Sequence, residues 1–91
     1  MNTVVFQAAE HLTFATVEVE RQRFLGCLPQ AVLQDKCRID LSGVKRCDSA
    51  GLSLLIEAKR LCNQHQISME VCEMPDFMRF LAEFSNIDSF F

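Results

Sequence analysis

The stretch Ile39-Asp40-Leu41-Ser42-Gly43-Val44-Lys45-Arg46-Cys47-Asp48-Ser49-Ala50-Gly51-Leu52 reads as a strand, a turn and the start of a helix. Asp48 and Ser49 are both N-cap residues by type, because each carries a side-chain oxygen that can accept from the otherwise unpaired amides of a first helical turn. Such a start also presents a positive dipole end with free N–H groups. Gly51 leaves one turn of that helix without a side chain, so something can approach its backbone closely. Read for structure alone, Asp48 and Ser49 are a cap worth about 0.5–2 kcal/mol, and Gly51 permits close helix–sheet packing. No Gly-x-x-x-x-Gly-Lys or Gly-x-Gly-x-x-Gly run is present, which excludes a glycine-rich phosphate cradle.

Working outward, residues 37–41 alternate: Cys37, Ile39 and Leu41 face one way, Arg38 and Asp40 the other. Residues 67–72 alternate too, with Ile67, Met69 and Val71 opposed to Ser68 and Glu70. Strands covered on both faces read as nearly continuous apolar runs, so this sheet is expected to have one covered and one wetter face. Between these strands, residues 50–65 carry an apolar stripe of Gly51, Leu54, Leu55, Ala58, Leu61 and Cys62, broadened by Leu52 and Ile56. Ser53, Glu57, Arg60 and Gln64 recur on the opposite, exposed face. The unit over 37–72 is expected to be a right-handed parallel crossover.

Residues 3–7 and 12–17 are β-rich runs separated by Ala8-Ala9-Glu10-His11, which suggests a hairpin. Residues 20–34 are a poorer helix, weakened by Gly26 and either kinked or restarted at Pro29. Residues 75–84 form a further helix, with Pro75 in the first turn and Phe77, Phe80, Leu81 and Phe84 pointing inward. A last short strand is open over 87–91. The order is β-β-α-β-α-β-α, an α/β chain of α+β-like character: a mixed sheet of four to five strands with helices on one face.

Ninety-one residues make a single domain over 1–91. The 49% hydrophobic and 23% charged residues exclude disorder. No apolar stretch approaches the roughly 20 residues of a bilayer crossing, and the amino end lacks the features of a secretory signal. A net charge of -3 gives no basic footprint for nucleic acid. So small a domain leaves little room for a deep substrate pocket, which favours an interaction module over a minimal enzyme. The five cysteines, at 27, 37, 47, 62 and 72, are odd in number and lack zinc-ligand spacing, which fits reduced thiols in the cytosol. His11 and His65 have no Cys or carboxylate at ligand or catalytic spacing, and His65 is placed to complement a helix dipole. No metal or cofactor is expected. The Phe-rich end, Phe77, Phe80, Phe84, Phe90 and Phe91, reads as core plus a fastened tail, or else as an exposed contact for a partner.

The run Ile39-Asp40-Leu41-Ser42, then Val44, then Asp48-Ser49-x-Gly51-Leu52 and Leu54-Leu55 resembles the signature of the STAS domain. That family includes the bacterial anti-sigma-factor antagonists and the MlaB-like subunit of the Mla phospholipid-transport ABC system. The resemblance implies a non-enzymatic, regulatory protein–protein role centred on the start of the long helix. Antagonists carry Asp-Ser-Ser-Gly or Asp-Ser-Thr-Gly, and the second hydroxyl residue is the one a partner kinase phosphorylates; here that place is Ala50. The transporter subunits resemble Asp-Thr-Gly-Gly, and Ser49 followed by a small residue matches that arrangement better. Pro29 is a further similarity to them, whereas the glycine that often precedes the first helix is missing around residues 16–19.

The resemblance therefore implies a subunit that binds the ATPase of a phospholipid-trafficking ABC transporter, cytoplasmic and peripheral to the inner membrane through that partner. The alternative is an antagonist that binds a serine-kinase anti-sigma factor. A small hydrolase built on Ser49 would need an activating base that no nearby residue in sequence supplies. The expected partner-binding residues are Asp48, Ser49, Ala50 and Gly51, with Ser53 and Glu57 following Ser49 at helical spacing.

Overall fold

Because Cys37 and Ile39 alternate with Lys36, Arg38 and Asp40, the strand they form, Lys36–Asp40 (β3), has one face to bury, and it is the middle strand of the main sheet. The computed structural model describes residues 3–85. On one side β3 pairs in parallel with Val4–Gln7 (β1), placing Phe6 opposite Ile39. On the other it pairs in parallel with Ser68–Cys72 (β5), placing Val71 opposite Ile39. Phe6, Cys37 and Ile39 are buried on one face, while Val5, Arg38 and Glu70 on the other are exposed. Two further strands, His11–Leu12 (β2) and Arg46–Cys47 (β4), pair in parallel as a separate short ribbon. The helices are Val17–Gln34 (α1), Ser49–Gln64 (α2) and Asp76–Phe84 (α3). Among the described residues no helix is long and apolar enough to cross a membrane.

The expected hairpin and mixed sheet are not what forms. Every described strand pairing is parallel, and the main sheet has three strands, with two more in the ribbon, rather than four to five in one sheet. The Ala8 amide donates to Asp40 O at 3.0 Å, which carries the first run along β3 instead of folding it back on the second. The second run stops at Leu12 because Thr13 to Thr16 close into a turn. Thr13 O accepts from Thr16 N (2.9 Å) and Val17 N (2.8 Å), and the Thr16 hydroxyl accepts from Thr13 N and donates to His11 O. That turn launches α1 at Val17, three residues ahead of the expected start. The strand expected over 87–91 lies outside the described residues.

α1 runs unbroken through Pro29. An interior proline costs about 3 kcal/mol or more, yet Phe24 and Ala31 are buried on either side of it and hold both halves on the sheet. Glu20 fastens the front of this helix and is only 3% exposed. Its carboxylate accepts from Ala9 N (2.9 Å) and Arg23 Nη1 (2.6 Å), and Arg23 in turn donates to Gln7 O at 3.1 Å. The Arg23 guanidinium lies 5.0 Å from the Phe6 ring centre, and Phe6 meets Phe24 edge-on. α1 is thus tied to β1 by both charge and aromatic packing.

The face of α3 is also corrected. Met78 and Ala82 are its buried residues, Leu81 is half-buried, and Phe77, Phe80 and Phe84 are exposed. Apolar residues at so many positions give this helix two overlapping stripes. The phase between them is set by the lead-in, where Glu73 takes a left-handed φ of 58° and Pro75 caps in an extended conformation.

Candidate functional site

The ends of β2 and β4 meet at the start of α2, and Asp48 joins all three. Its amide donates to Leu12 O at 3.1 Å. Its Oδ1 caps the helix, accepting from Ala50 N (2.9 Å) and Gly51 N (3.2 Å), and its Oδ2 accepts from Phe14 N at 3.0 Å. The Phe14 amide first, then those of Gly51 and Ala50, hold the Asp48 carboxyl below the usual carboxylate range. Asp48 is therefore the cap, and both of its oxygens are occupied.

Ser49, which shared the capping role in the sequence reading, is instead the first helical residue and is exposed. Among the described residues its hydroxyl makes no hydrogen bond; its carbonyl accepts from the Ser53 hydroxyl at 2.9 Å. Gly51 is buried against β2. A methyl group added there would come within 2.8 Å of both Leu12 C and Leu12 Cβ. Gly51 therefore lets α2 sit directly on the β2 backbone and has no side chain to offer a partner.

Ala50, Ser53 and Glu57 lie along one side of an open groove of about 350 Å³ between α1 and α2. Val17, Ala50 and Leu54 supply its apolar lining, and Glu18 and Arg21 border it from α1. Arg21 Nε donates to Glu57 Oε1 at 2.7 Å, with Glu18 3.6 Å from the same guanidinium. Both members of the Arg21–Glu57 pair are about 40% exposed, so water screens it and it adds little to stability. Glu57→Lys is accordingly expected to unfold cooperatively with a thermal midpoint only slightly below that of wild type, and Glu57→Gln closer still. A midpoint for Glu57→Lys far below wild type would contradict this.

The structure brings five of the six expected residues to the surface or groove around the α2 start, and buries Gly51 beneath it. It also brings in Phe14 and Glu18, from the turn and helix start that replace the end of the strand expected over 12–17, and Arg21 from α1, none of which the sequence pattern marks for this site. Cys47 stands just before Asp48, half-buried, with its thiol pushed up to about 11 by burial and then by Asp48, so it is protonated at neutral pH. His11 lies in β2, while His65 caps the far end of α2, donating its amide to Leu61 O and Cys62 O. Among the described residues no group of three or more His, Cys, Asp or Glu could hold a metal ion.

A family model described as Mlab, STAS domain matches residues 1–91, the full length of the sequence. Comparison with curated proteins finds no match, and neither does comparison with solved structures. The parallel α/β core, the Asp48-capped helix and the full-length match agree, and the chain belongs to the MlaB-type STAS domain family.

Proposed function

We propose that this domain is a regulatory or assembly subunit that binds the ATPase of a phospholipid-trafficking ABC transporter through the start of α2, and is held in the cytoplasm at the inner membrane by that partner. The STAS family supports a non-enzymatic interaction role. The observation that carries the reading is Ser49: an exposed hydroxyl at a helix start whose capping is done entirely by its neighbour. A polar group that the fold does not use is free to donate or accept across an interface. Ala50 favours this branch over an anti-sigma-factor antagonist, because alanine stands where the antagonist carries its phosphorylated hydroxyl and cannot take the phosphate's charge of about -1.5 to -2.

With Asp48 as the cap, Ser49→Ala is expected to change stability by less than about 0.5 kcal/mol while abolishing regulation of the ATPase. Ser49→Asp is expected to be harsher for binding, since a second carboxylate beside Asp48 would need desolvation in the interface. The test is paired thermal unfolding and co-purification with the ATPase. A well-folded Ser49→Ala that binds normally removes Ser49 from the interface, and a wild-type chain that fails to associate with any ABC ATPase removes the proposal.

A further inference from the structure

Phe14 is 83% exposed, and its backbone is tied to the start of α2. Its amide is fixed by Asp48 Oδ2 at 3.0 Å, and the residues around it close a turn through Thr13 O and the Thr16 hydroxyl. The ring is therefore presented to solvent from a preorganised backbone, on the same carboxylate that caps α2. The turn it belongs to leads directly into α1, whose first residue, Val17, lines the groove with Ala50 and Leu54. Single exposed apolar residues need no explanation, but an exposed aromatic side chain on a tied-down backbone at the edge of a partner site is a form that interface anchors take. The rim has a sign. Two carboxylates, Glu18 and Glu57, line the groove against one cation, Arg21, which pairs with both, and Asp48 adds a third carboxylate at the α2 start whose two oxygens already accept backbone amides.

We infer that Phe14 is the apolar anchor of the partner interface, and that the partner is a folded protein whose surface offers a socket for this ring beside a basic side chain that enters the α1–α2 groove next to Glu18 and Glu57. The inference rests on the reading of the α2 start as the partner-binding site. It extends that site across the β2–α1 turn and gives the partner a chemistry: an apolar pocket for the ring and a lysine or arginine to complement the excess of carboxylates. Arg21 then exchanges part of its bonding to Glu57 for solvent as the partner's cation arrives. Because the turn is already ordered, Phe14 contributes to binding without a large ordering cost.

The test uses the full chain and the purified ATPase subunit of an ABC transporter from the same cell, with affinity measured at low and high salt. Phe14→Ala is expected to weaken binding at least tenfold with an unchanged thermal midpoint, and Phe14→Leu to lose less. Leu33→Ala is expected to bind within twofold of wild type. Leu33 is 75% exposed but stands in the last turn of α1, roughly 24 Å along the helix from Val17. The double variant Glu18→Gln with Glu57→Gln is expected to bind about fivefold more weakly at low salt and to lose most of the wild-type salt dependence. Phe14→Ala binding within twofold of wild type overturns the inference while leaving the proposed function standing, and so does a double variant that binds as tightly as wild type at low salt. If the wild-type chain itself does not bind the ATPase, the proposed function falls and takes this inference with it.

Discussion

Gly51→Ala is expected to destabilise the domain by at least about 2 kcal/mol, against the direction that helix propensity alone gives. Gly51 lies inside the first turns of α2, where exchanging glycine for alanine ordinarily gains up to about 1 kcal/mol. Here the new methyl would meet the Leu12 backbone, with Leu12 C and Leu12 Cβ both at 2.8 Å and the Leu12 carbonyl oxygen also in its way. Leu12 cannot yield cheaply. It is fully buried, pairs with Cys47 in the ribbon, and its carbonyl accepts from the Asp48 amide. Relief requires α2 to lift off β2, which loosens the cap as well as the contact. A loss of about 2 kcal/mol corresponds to a thermal midpoint on the order of 10 °C lower in a domain of this size. The control is Gly26→Ala in α1, where an added methyl meets nothing within 4 Å; it is expected to raise the midpoint by a few degrees, from a gain of about 0.5–1 kcal/mol. Thermal unfolding of the two variants side by side checks the opposite signs. A midpoint for Gly51→Ala at or above wild type would show that the helix and β2 do not approach so closely.

Asp48→Ala is the second large effect, an expected loss of about 2 kcal/mol, at the upper end of the range for a removed cap. The substitution takes away both first-turn capping bonds and the bond to Phe14, so it frees the start of α2 and the β2–α1 turn together. Asp48→Asn separates the two tasks. Asparagine caps as well as aspartate, but its amide nitrogen cannot accept from Phe14 N–H, so the cap is kept and the turn is released, with a loss of about 1 kcal/mol. The pH dependence follows from the depressed carboxyl of Asp48. With a folded pKa below the unfolded value of about 3.9, it contributes stability that is present above that value and is lost as pH falls through the folded pKa. Asp40, bonded to the Ser42 amide, and Glu10, paired with Lys45, are lowered too, so the wild-type acid limb is shared among them. The informative quantity is the gap in midpoint between wild type and Asp48→Asn. It is expected to be steady near neutral pH and to narrow below about pH 4. A gap as wide at pH 3 as at pH 7 would mean that the charge of Asp48 contributes nothing.

Where periodicity was strong, the elements were legible. β3, α2 and β5 form within a residue of their expected limits, because their apolar residues recur with one period and face one core. The α2 cap was legible as a pair of candidates, Asp48 and Ser49. Choosing between them required knowing that Phe14 N–H arrives from a distant part of the chain and binds the second oxygen of Asp48. The groove was half legible: Ser53 and Glu57 follow from helical spacing, while Glu18 and Arg21 come from a second helix, α1, that only the tertiary structure brings alongside, and that starts three residues ahead of its expected limit.

The sequence by itself determined the order of the central strand–helix–strand unit, the covered face of its strands, the place of a capped helix start and the STAS resemblance. All of these depend on residues close together in the chain. Tertiary structure alone decided that β1 joins β3 in parallel rather than pairing with β2, since that choice is between partners more than thirty residues apart and one nearby. It also decided which stripe of α3 is buried, because Met78 with Ala82 and Phe77 with Phe80 and Phe84 are equally regular in sequence. Above all it decided what the glycine at 51 is for: the absence of one methyl group acquires meaning only when the backbone of Leu12, distant in sequence, occupies the space.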